Sequence, residues 1–163
     1  MILIKNGTII DPSCKREEKG DLLIADGKIA RIAPCGEIQE EGCEVIDATG
    51  MVVAPGLVDV HVHFRDPGFT YKEDIDTGAQ AALQGGFTSV VLMANTKPVV
   101  DNEETLDYVL EKGKNTPIHV YSCASVSKGL QGKELVDMAL LYSKGAAGFT
   151  DDGIPLLDVD ILE

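Results

Sequence analysis

The sequence has 163 residues, with 14 lysines and arginines against 27 aspartates and glutamates, which gives a net charge of −13 at pH 7. This length suits one domain of ordinary size, and the negative charge opposes binding to phosphate backbones and to anionic membrane surfaces. No run approaches the roughly 18 apolar residues of a membrane span, so we expect a cytoplasmic protein whose cysteines stay reduced.

Short apolar runs separated by turn dipeptides fill the first 53 residues. Asn6-Gly7 and Asp26-Gly27 each fall between two such runs. Both dipeptides favour tight hairpin turns, because their residues tolerate positive φ. The sequence therefore predicts a small β domain over residues 1–53 and a second domain over residues 54–163.

From residue 54 onward the pattern changes to strands that alternate with helices. The predicted strands are residues 57–60, Thr88–Met93, Ile118–Ala124 and Ala146–Thr150. Three predicted helices lie between them. The first is capped by Thr70 and Glu73 and reaches Gln84, the second runs from Asp101 to Gly113, and the third is Lys133–Lys144. This alternation predicts a parallel sheet or a (β/α) barrel. A closed barrel needs eight strands and about 250 residues, so four strands predict its first half. Residues 158–163 resemble the start of a further helix, and we interpret the chain as ending within the fold.

Two of the chain's three histidines form a His-x-His pair, His61 and His63, at the end of an apolar run. On a regular strand, Asp59, His61, His63 and Arg65 would project from one face. Two neutral imidazoles at this spacing can reach one zinc ion, and a catalytic zinc takes three protein ligands and a water. The pair therefore predicts a metal site whose third ligand comes from elsewhere.

Polar residues also follow the other predicted strands, at the positions where (β/α) barrels gather their reactive groups. Asn95 follows the second strand, and Asp151 and Asp152 follow the fourth. Either aspartate could supply the third ligand, although Asp-Asp-Gly is also ordinary turn chemistry. The remaining histidine, His119, lies inside the third predicted strand, and we interpret it as structural.

Arg65 has two interpretations that the spacing leaves open. Its guanidinium could offer two parallel hydrogen bonds to a substrate carboxylate, or it could pair with Asp66 or an acidic helix. Asn95 could add amide donors to the same carboxylate. The first interpretation predicts an anionic substrate.

These residues resemble the zinc-site signature of the dihydroorotases, which belong to the amidohydrolase superfamily. Residues 54–68 read APGLVDVHVHFRDPG, residues 71–74 and 85–88 read YKED and GGFT, and residues 93–98 read MANTKP. The last segment departs from the usual Met-Pro-Asn-Thr-x-Pro, because Ala94 replaces the proline. The resemblance spans the whole chain. It implies an α/β fold in which the amino-terminal part of a small β-sandwich domain precedes the first half of a (β/α)8 TIM-type barrel.

Hydantoinases and allantoinases share the His-x-His pair but bridge their metals with a carbamylated lysine on strand four. Here that strand ends in residues 149–153, FTDDG, without a lysine. This resembles the bacterial dihydroorotase class in which an aspartate stands in that place. The resemblance implies that His61, His63 and Asp152 bind one or two zinc ions, and that His63, Arg65 and Asn95 bind the substrate.

The reaction implied by the resemblance is the reversible interconversion of N-carbamoyl-L-aspartate and dihydroorotate in pyrimidine (UMP) biosynthesis. It requires two more histidine ligands and an aspartate base, on later strands, and none lies within residues 1–163. We therefore expect this polypeptide alone to be inactive or nearly so. Two alternatives stay open: a non-catalytic dihydroorotase-like partner of aspartate transcarbamoylase, and a hydantoinase- or allantoinase-type hydrolase. Homo-oligomerisation or assembly with aspartate transcarbamoylase also stays open.

Overall fold

The computed structural model describes residues 1–157, so the helix predicted to start at residues 158–163 lies outside the described residues. The chain divides into an amino-terminal unit that ends at Pro55 and a second unit that begins at Gly56. No helix in residues 1–157 is long and apolar enough to cross a membrane.

The amino-terminal unit is a five-stranded sheet with the order β3-β2-β1-β4, in which β5 also pairs with β1. Its strands are β1 (Ile2–Asp11), β2 (Arg16–Ala25), β3 (Lys28–Ala33), β4 (Glu44–Asp47) and β5 (Val52–Val53). The first three strands are antiparallel, while β4 and β5 run parallel to β1. Its buried core consists of Leu3, Leu23, Ala33 and Ile38.

One of the two predicted hairpin turns is wrong. Asp26 and Gly27 have φ values of 51° and 70° and join β2 to β3, as predicted. Asn6-Gly7 instead lies inside β1, where the register with β2 shifts between Ile4 and Gly7. The buried Asp21 accepts a 2.9 Å hydrogen bond from the Asn6 backbone N–H, which fixes a bulge rather than a turn.

The second unit is a four-stranded parallel sheet with the order β6-β7-β8-β9 and with helices between the strands. Its elements are β6 (Leu57–Val62), α1 (Ile75–Gln84), β7 (Phe87–Leu92), α2 (Glu103–Gly113), β8 (His119–Ala124), α3 (Met138–Ser143) and β9 (Gly148–Phe149). A short 3₁₀ helix, Lys128–Leu130, precedes α3. The predicted fold class, a small β domain followed by the first half of a (β/α) barrel, is confirmed.

The core of this unit lies between the sheet and the helices. Val90 and Leu92 on β7 pack into one cluster with Ile75 of α1 and Leu106 of α2, all 2% exposed or less. Gly78 of α1 faces Phe64, whose ring would lie 2.4 Å from a Cβ at that position. This close approach holds the chain just after His63 against the helix.

All three predicted helix starts are displaced, that of α2 only slightly, since Asn102 rather than Asp101 caps it. Helix α1 begins after Asp74, which accepts from the Thr77 backbone N–H, so the predicted Thr70–Glu73 cap is wrong. Helix α3 begins after Asp137 rather than at Lys133. Residues 133–136 instead pair with the segment after β8, through a bridge between Ser127 and Leu135.

Candidate metal centre

Three of the predicted site residues lie together at the carboxyl edge of the parallel sheet. His61 Nε2 lies 3.1 Å from Asp152 Oδ1, and His63 Nε2 lies 3.4 Å from Asp152 Oδ2. The two imidazole rings have centroids 5.2 Å apart and meet at 63°. One ligand atom from each residue falls within 4.8 Å of the other two. Because each residue offers an atom that zinc accepts, this group could hold a metal ion.

A β-bulge in β6 gives the histidines their positions. Asp59 pairs with Val90 and Val62 pairs with Leu92, so β6 places two residues, Val60 and His61, where β7 places one. The Asp59 carboxylate accepts a 3.0 Å hydrogen bond from the His61 backbone N–H. The predicted alternation, with Asp59 on the same face as the histidines, is therefore wrong. Asp59 and Val62 instead pair with Val90 and Leu92, whose side chains belong to the core between the sheet and the helices.

Asn95 joins two members of the group. Its Nδ2 donates to Asp152 Oδ2 at 2.8 Å, and its Oδ1 lies 3.0 Å from His63 Nδ1. Asn95 follows β7, and the Met93 backbone N–H donates to the Val62 carbonyl at 3.0 Å. The ends of β6, β7 and β9 thus contribute to one polar cluster, as the sequence predicts.

Asp151 and Asp152 have different surroundings although they are adjacent. Asp151 is 5% exposed and accepts from the backbone N–H groups of Val126 and Ser127, at 2.7 and 3.1 Å, and from the Ser127 hydroxyl. All of these donors belong to the segment after β8. Asp151 therefore anchors the loop, while Asp152 faces the histidines and stays partly exposed.

Arg65 is not joined to this group by a hydrogen bond. It lies in the loop after β6, which ends at Val62, and its backbone φ is 60°. Its side chain makes no hydrogen bond or ion pair with any of residues 1–157. The interpretation that Arg65 pairs with Asp66 is wrong, since the Asp66 carboxylate has other partners.

Asp66 is fully buried and ties the loop after β6 to two helices. It accepts from Lys112 Nζ at 2.6 Å, from the Tyr108 hydroxyl at 2.9 Å and from the Ile75 backbone N–H at 3.3 Å. The hydrogen bond to Asp66 raises the pKa of Lys112, and burial raises the pKa of Tyr108. This cluster was not predicted from the sequence. Its only signal is the i, i+4 spacing of Tyr108 and Lys112, which also suits an exposed helix face.

His119 takes no part in the site. It is the first residue of β8, and the candidate ligands gather at the other end of the parallel strands. Its ring lies beside Tyr121, with centroids 6.5 Å apart.

Comparison with known proteins decides the family. The family model described as "Dihydro-orotase-like" matches residues 50–161. The chain belongs to the dihydroorotase-like family. A dihydroorotase from Clostridioides difficile (strain 630) is 59% identical over 162 residues, 99% of this chain and 38% of that protein. A dihydroorotase from Streptococcus pneumoniae is 56% identical, over 96% of this chain and 36% of that protein. The chain thus spans little more than a third of the length of these dihydroorotases.

Solved structures support the same fold at lower identity. The L-hydantoinase (dihydropyrimidinase) from Arthrobacter aurescens superposes with a TM-score of 0.73 and 25% identity, over 91% of this chain and 32% of that one. A D-hydantoinase (dihydropyrimidinase) from a Thermus species gives a TM-score of 0.60 and 36% identity, over 78% of this chain and 28% of that one. This member of the dihydroorotase-like family therefore shares its architecture with hydantoinases.

Proposed function

We propose that this chain supplies part of the active site of a zinc-dependent dihydroorotase, which interconverts N-carbamoyl-L-aspartate and (S)-dihydroorotate in pyrimidine biosynthesis. The observation that carries the proposal is the convergence of His61, His63 and Asp152, with a ligand atom from each within 4.8 Å of the others. The identity of 59% to a dihydroorotase supports this substrate. Residues 1–53 would form part of the β domain, and residues 54–163 the first half of the catalytic barrel.

The donor set fits zinc. A carboxylate accepts hydrogen bonds but does not donate them, so the Asn95 amide nitrogen must face Asp152 and its oxygen must face His63. His63 Nδ1 then carries a proton, and in the neutral imidazole that binds metals the lone pair lies on Nε2, which faces the Asp152 carboxylate. Two acceptors then face each other, and a zinc ion held between His63 Nε2 and Asp152 would satisfy both.

We assign the site to the class in which an aspartate takes the place of a carbamylated lysine. β9 and the loop that follows it contain Asp152 but no lysine. The two Asp152 oxygens face different histidines, Oδ1 toward His61 and Oδ2 toward His63. This arrangement suits one zinc ion and also permits a second that shares the carboxylate.

In the proposed reaction the residues of this chain hold the metal and orient the substrate. His61, His63 and Asp152 would hold the zinc, which would supply a water with a pKa lowered toward about 7 and a Lewis acid for the ring amide carbonyl. Arg65 forms paired hydrogen bonds to the substrate carboxylate, for which its side chain is free of ion pairs within residues 1–157. The amide of Asn95 has one N–H beyond the one given to Asp152, and we assign that N–H to the same carboxylate. The general base lies outside residues 1–163. A cytoplasmic location suits the four free cysteines.

A hydantoinase-type activity is the second candidate, because the solved structures that match the fold include hydantoinases. Hydantoin has no carboxylate for Arg65 to bind, so the two activities differ at this residue. A non-catalytic partner of aspartate transcarbamoylase would be expected to have lost metal ligands, and His61, His63 and Asp152 are all present.

Comparison of substrates tests the proposal on protein produced from the native gene. We expect turnover of dihydroorotate far above that of hydantoin. Arg65→Gln should lower kcat/KM for dihydroorotate by about 10- to 100-fold, the loss expected from a charge-assisted hydrogen bond, and should leave any hydantoin turnover unchanged. Preference for hydantoin, or equal loss on both substrates, would contradict the assignment.

A further inference from the structure

We infer that Asn95 is a positioning residue of the metal centre, in addition to any contact it makes with substrate. This inference rests on the proposed function, because it takes His61, His63 and Asp152 as metal ligands. Asn95 touches both His63 and Asp152, which lie 32 residues before it and 57 residues after it in the chain. It therefore hydrogen-bonds to candidate ligands from two distant strands.

The first effect of Asn95 is to select the tautomer of His63. With Oδ1 accepting at 3.0 Å, Nδ1 is a protonated nitrogen, and the neutral imidazole that binds metals then has its lone pair on Nε2. Without Asn95, the other neutral tautomer becomes available, in which Nε2–H donates to Asp152 across the 3.4 Å gap. That direct hydrogen bond would occupy both ligand atoms and close the site to a cation. Asn95 removes this competing arrangement.

The second effect is on Asp152. The Asn95 amide donates to Oδ2 at 2.8 Å, and this bond fixes the carboxylate plane with Oδ1 directed toward His61. The Asp152 backbone N–H is held in turn by the Thr150 hydroxyl at 3.1 Å. A carboxylate restrained at both its backbone and its side chain loses little freedom when it binds a metal.

Asn95 is itself held by its neighbours in the chain. Met93, Ala94 and Thr96 are buried, and the Ala94 carbonyl accepts from the backbone N–H groups of Thr96 and Val100, at 2.9 and 3.1 Å. His61 has no comparable support, since Asp152 is the one polar partner of its imidazole among residues 1–157. Loss of Asn95 should therefore disorder the His63 and Asp152 side of the centre.

Zinc affinity in the absence of substrate tests this inference, by competition with a chromogenic chelator on protein from the native gene. We expect Asn95→Leu, which keeps the size of the side chain and removes both hydrogen bonds, to weaken zinc binding about 10- to 100-fold. Arg65→Gln is the matched control and should bind zinc as tightly as the parent protein. The visible spectrum of the cobalt-substituted protein should change in Asn95→Leu and stay the same in Arg65→Gln.

The outcomes separate this inference from the proposed function. One outcome would overturn the inference but support the metal site: Asn95→Leu keeps its zinc affinity and cobalt spectrum unchanged, while His61→Ala binds zinc much more weakly than the parent protein. Unchanged affinity in His61→Ala would overturn both. If Asn95→Leu does not fold, as judged by circular dichroism of the metal-free protein, Asn95→Ala removes the same two hydrogen bonds with a smaller side chain and carries the same expectations.

Discussion

At the scale of single residues, adjacent side chains have different roles in the site. The Asp151 carboxylate accepts hydrogen bonds from three donors in the segment after β8, whereas the two Asp152 oxygens face two histidines. The same separation occurs after β6, where His63 faces Asp152 and Asp66 is buried against Lys112. Each candidate metal ligand thus lies close in the chain to an aspartate that holds the backbone of its loop in place.

Replacement of each aspartate by alanine should separate these two roles. We expect Asp152→Ala to lose zinc affinity with little change in the unfolding free energy of the metal-free protein. Asp151→Ala should lower that unfolding free energy by about 3 kcal/mol, because buried N–H donors lose a charged acceptor. Chemical denaturation and chelator competition measure the two effects. A large loss of stability in Asp152→Ala with no loss in Asp151→Ala would reverse the assignment.

Residue-level prediction from the sequence depends on how regular the local backbone is. The His-x-His pair indicates His61 and His63, and the position after the fourth strand leaves Asp151 and Asp152 as candidates. Resemblance to the dihydroorotases favours Asp152, which lies beside the histidines in the structure. The face occupied by Asp59 could not be predicted, since the β-bulge depends on the register with β7, which is 30 residues away in the chain. The contacts of Asn95 depend on three strand ends that only the folded sheet brings together.

At the scale of elements, hydrophobic periodicity locates helices and strands, but competition among polar residues sets their ends. Thr70 and Glu73 have the spacing of a capping box, yet residues 69–72 form turns and α1 begins after Asp74. Asp74 prevails because the next backbone N–H, that of Ile75, is bound by the buried Asp66. A residue from outside the helix thus decides where α1 begins.

The ion pair between Asp66 and Lys112 should stabilise the loop that carries the site. Lys112→Met should lower the unfolding free energy at neutral pH by about 1.5–3 kcal/mol, since it removes a charge-assisted hydrogen bond to a buried carboxylate. Lys114→Met is the control on the same segment, because its partner Glu111 is exposed and such pairs contribute little. Denaturation of both variants measures the difference.

The pH dependence of the same pair has a defined sign. The pKa of Lys112 is raised above its ordinary value of 10.5, chiefly by the hydrogen bond to Asp66. Its contribution is therefore complete below pH 10.5 and is lost as the pH rises through the higher folded-state pKa. Lys112→Met should lack this alkaline loss and Lys114→Met should keep it. An identical alkaline profile in Lys112→Met and the parent protein would contradict the account.

At the scale of the whole molecule, the alternation of strands and helices is enough to predict the architecture. Parallel strands joined by helices place all their carboxyl ends at one edge of the sheet, and for that reason residues 61, 95 and 152 meet there. β6 and β9 are the outer strands, and neither has a second partner strand within residues 1–157. The exposed Val58 and Val60 lie on one of these outer strands. The expected lack of activity of an isolated 163-residue polypeptide stays a prediction.

The central claim is that His61, His63 and Asp152 form the zinc site of a dihydroorotase, and metal removal tests it most directly. Protein from the native gene would be stripped of metal with a chelator, checked for zinc content by mass spectrometry, and assayed with dihydroorotate before and after zinc is restored. We expect turnover to disappear when the zinc is removed and to return when zinc is added. In His61→Ala, turnover should not return at the same zinc concentration. Full turnover by zinc-free protein, or no turnover by the zinc-loaded protein, would contradict the account.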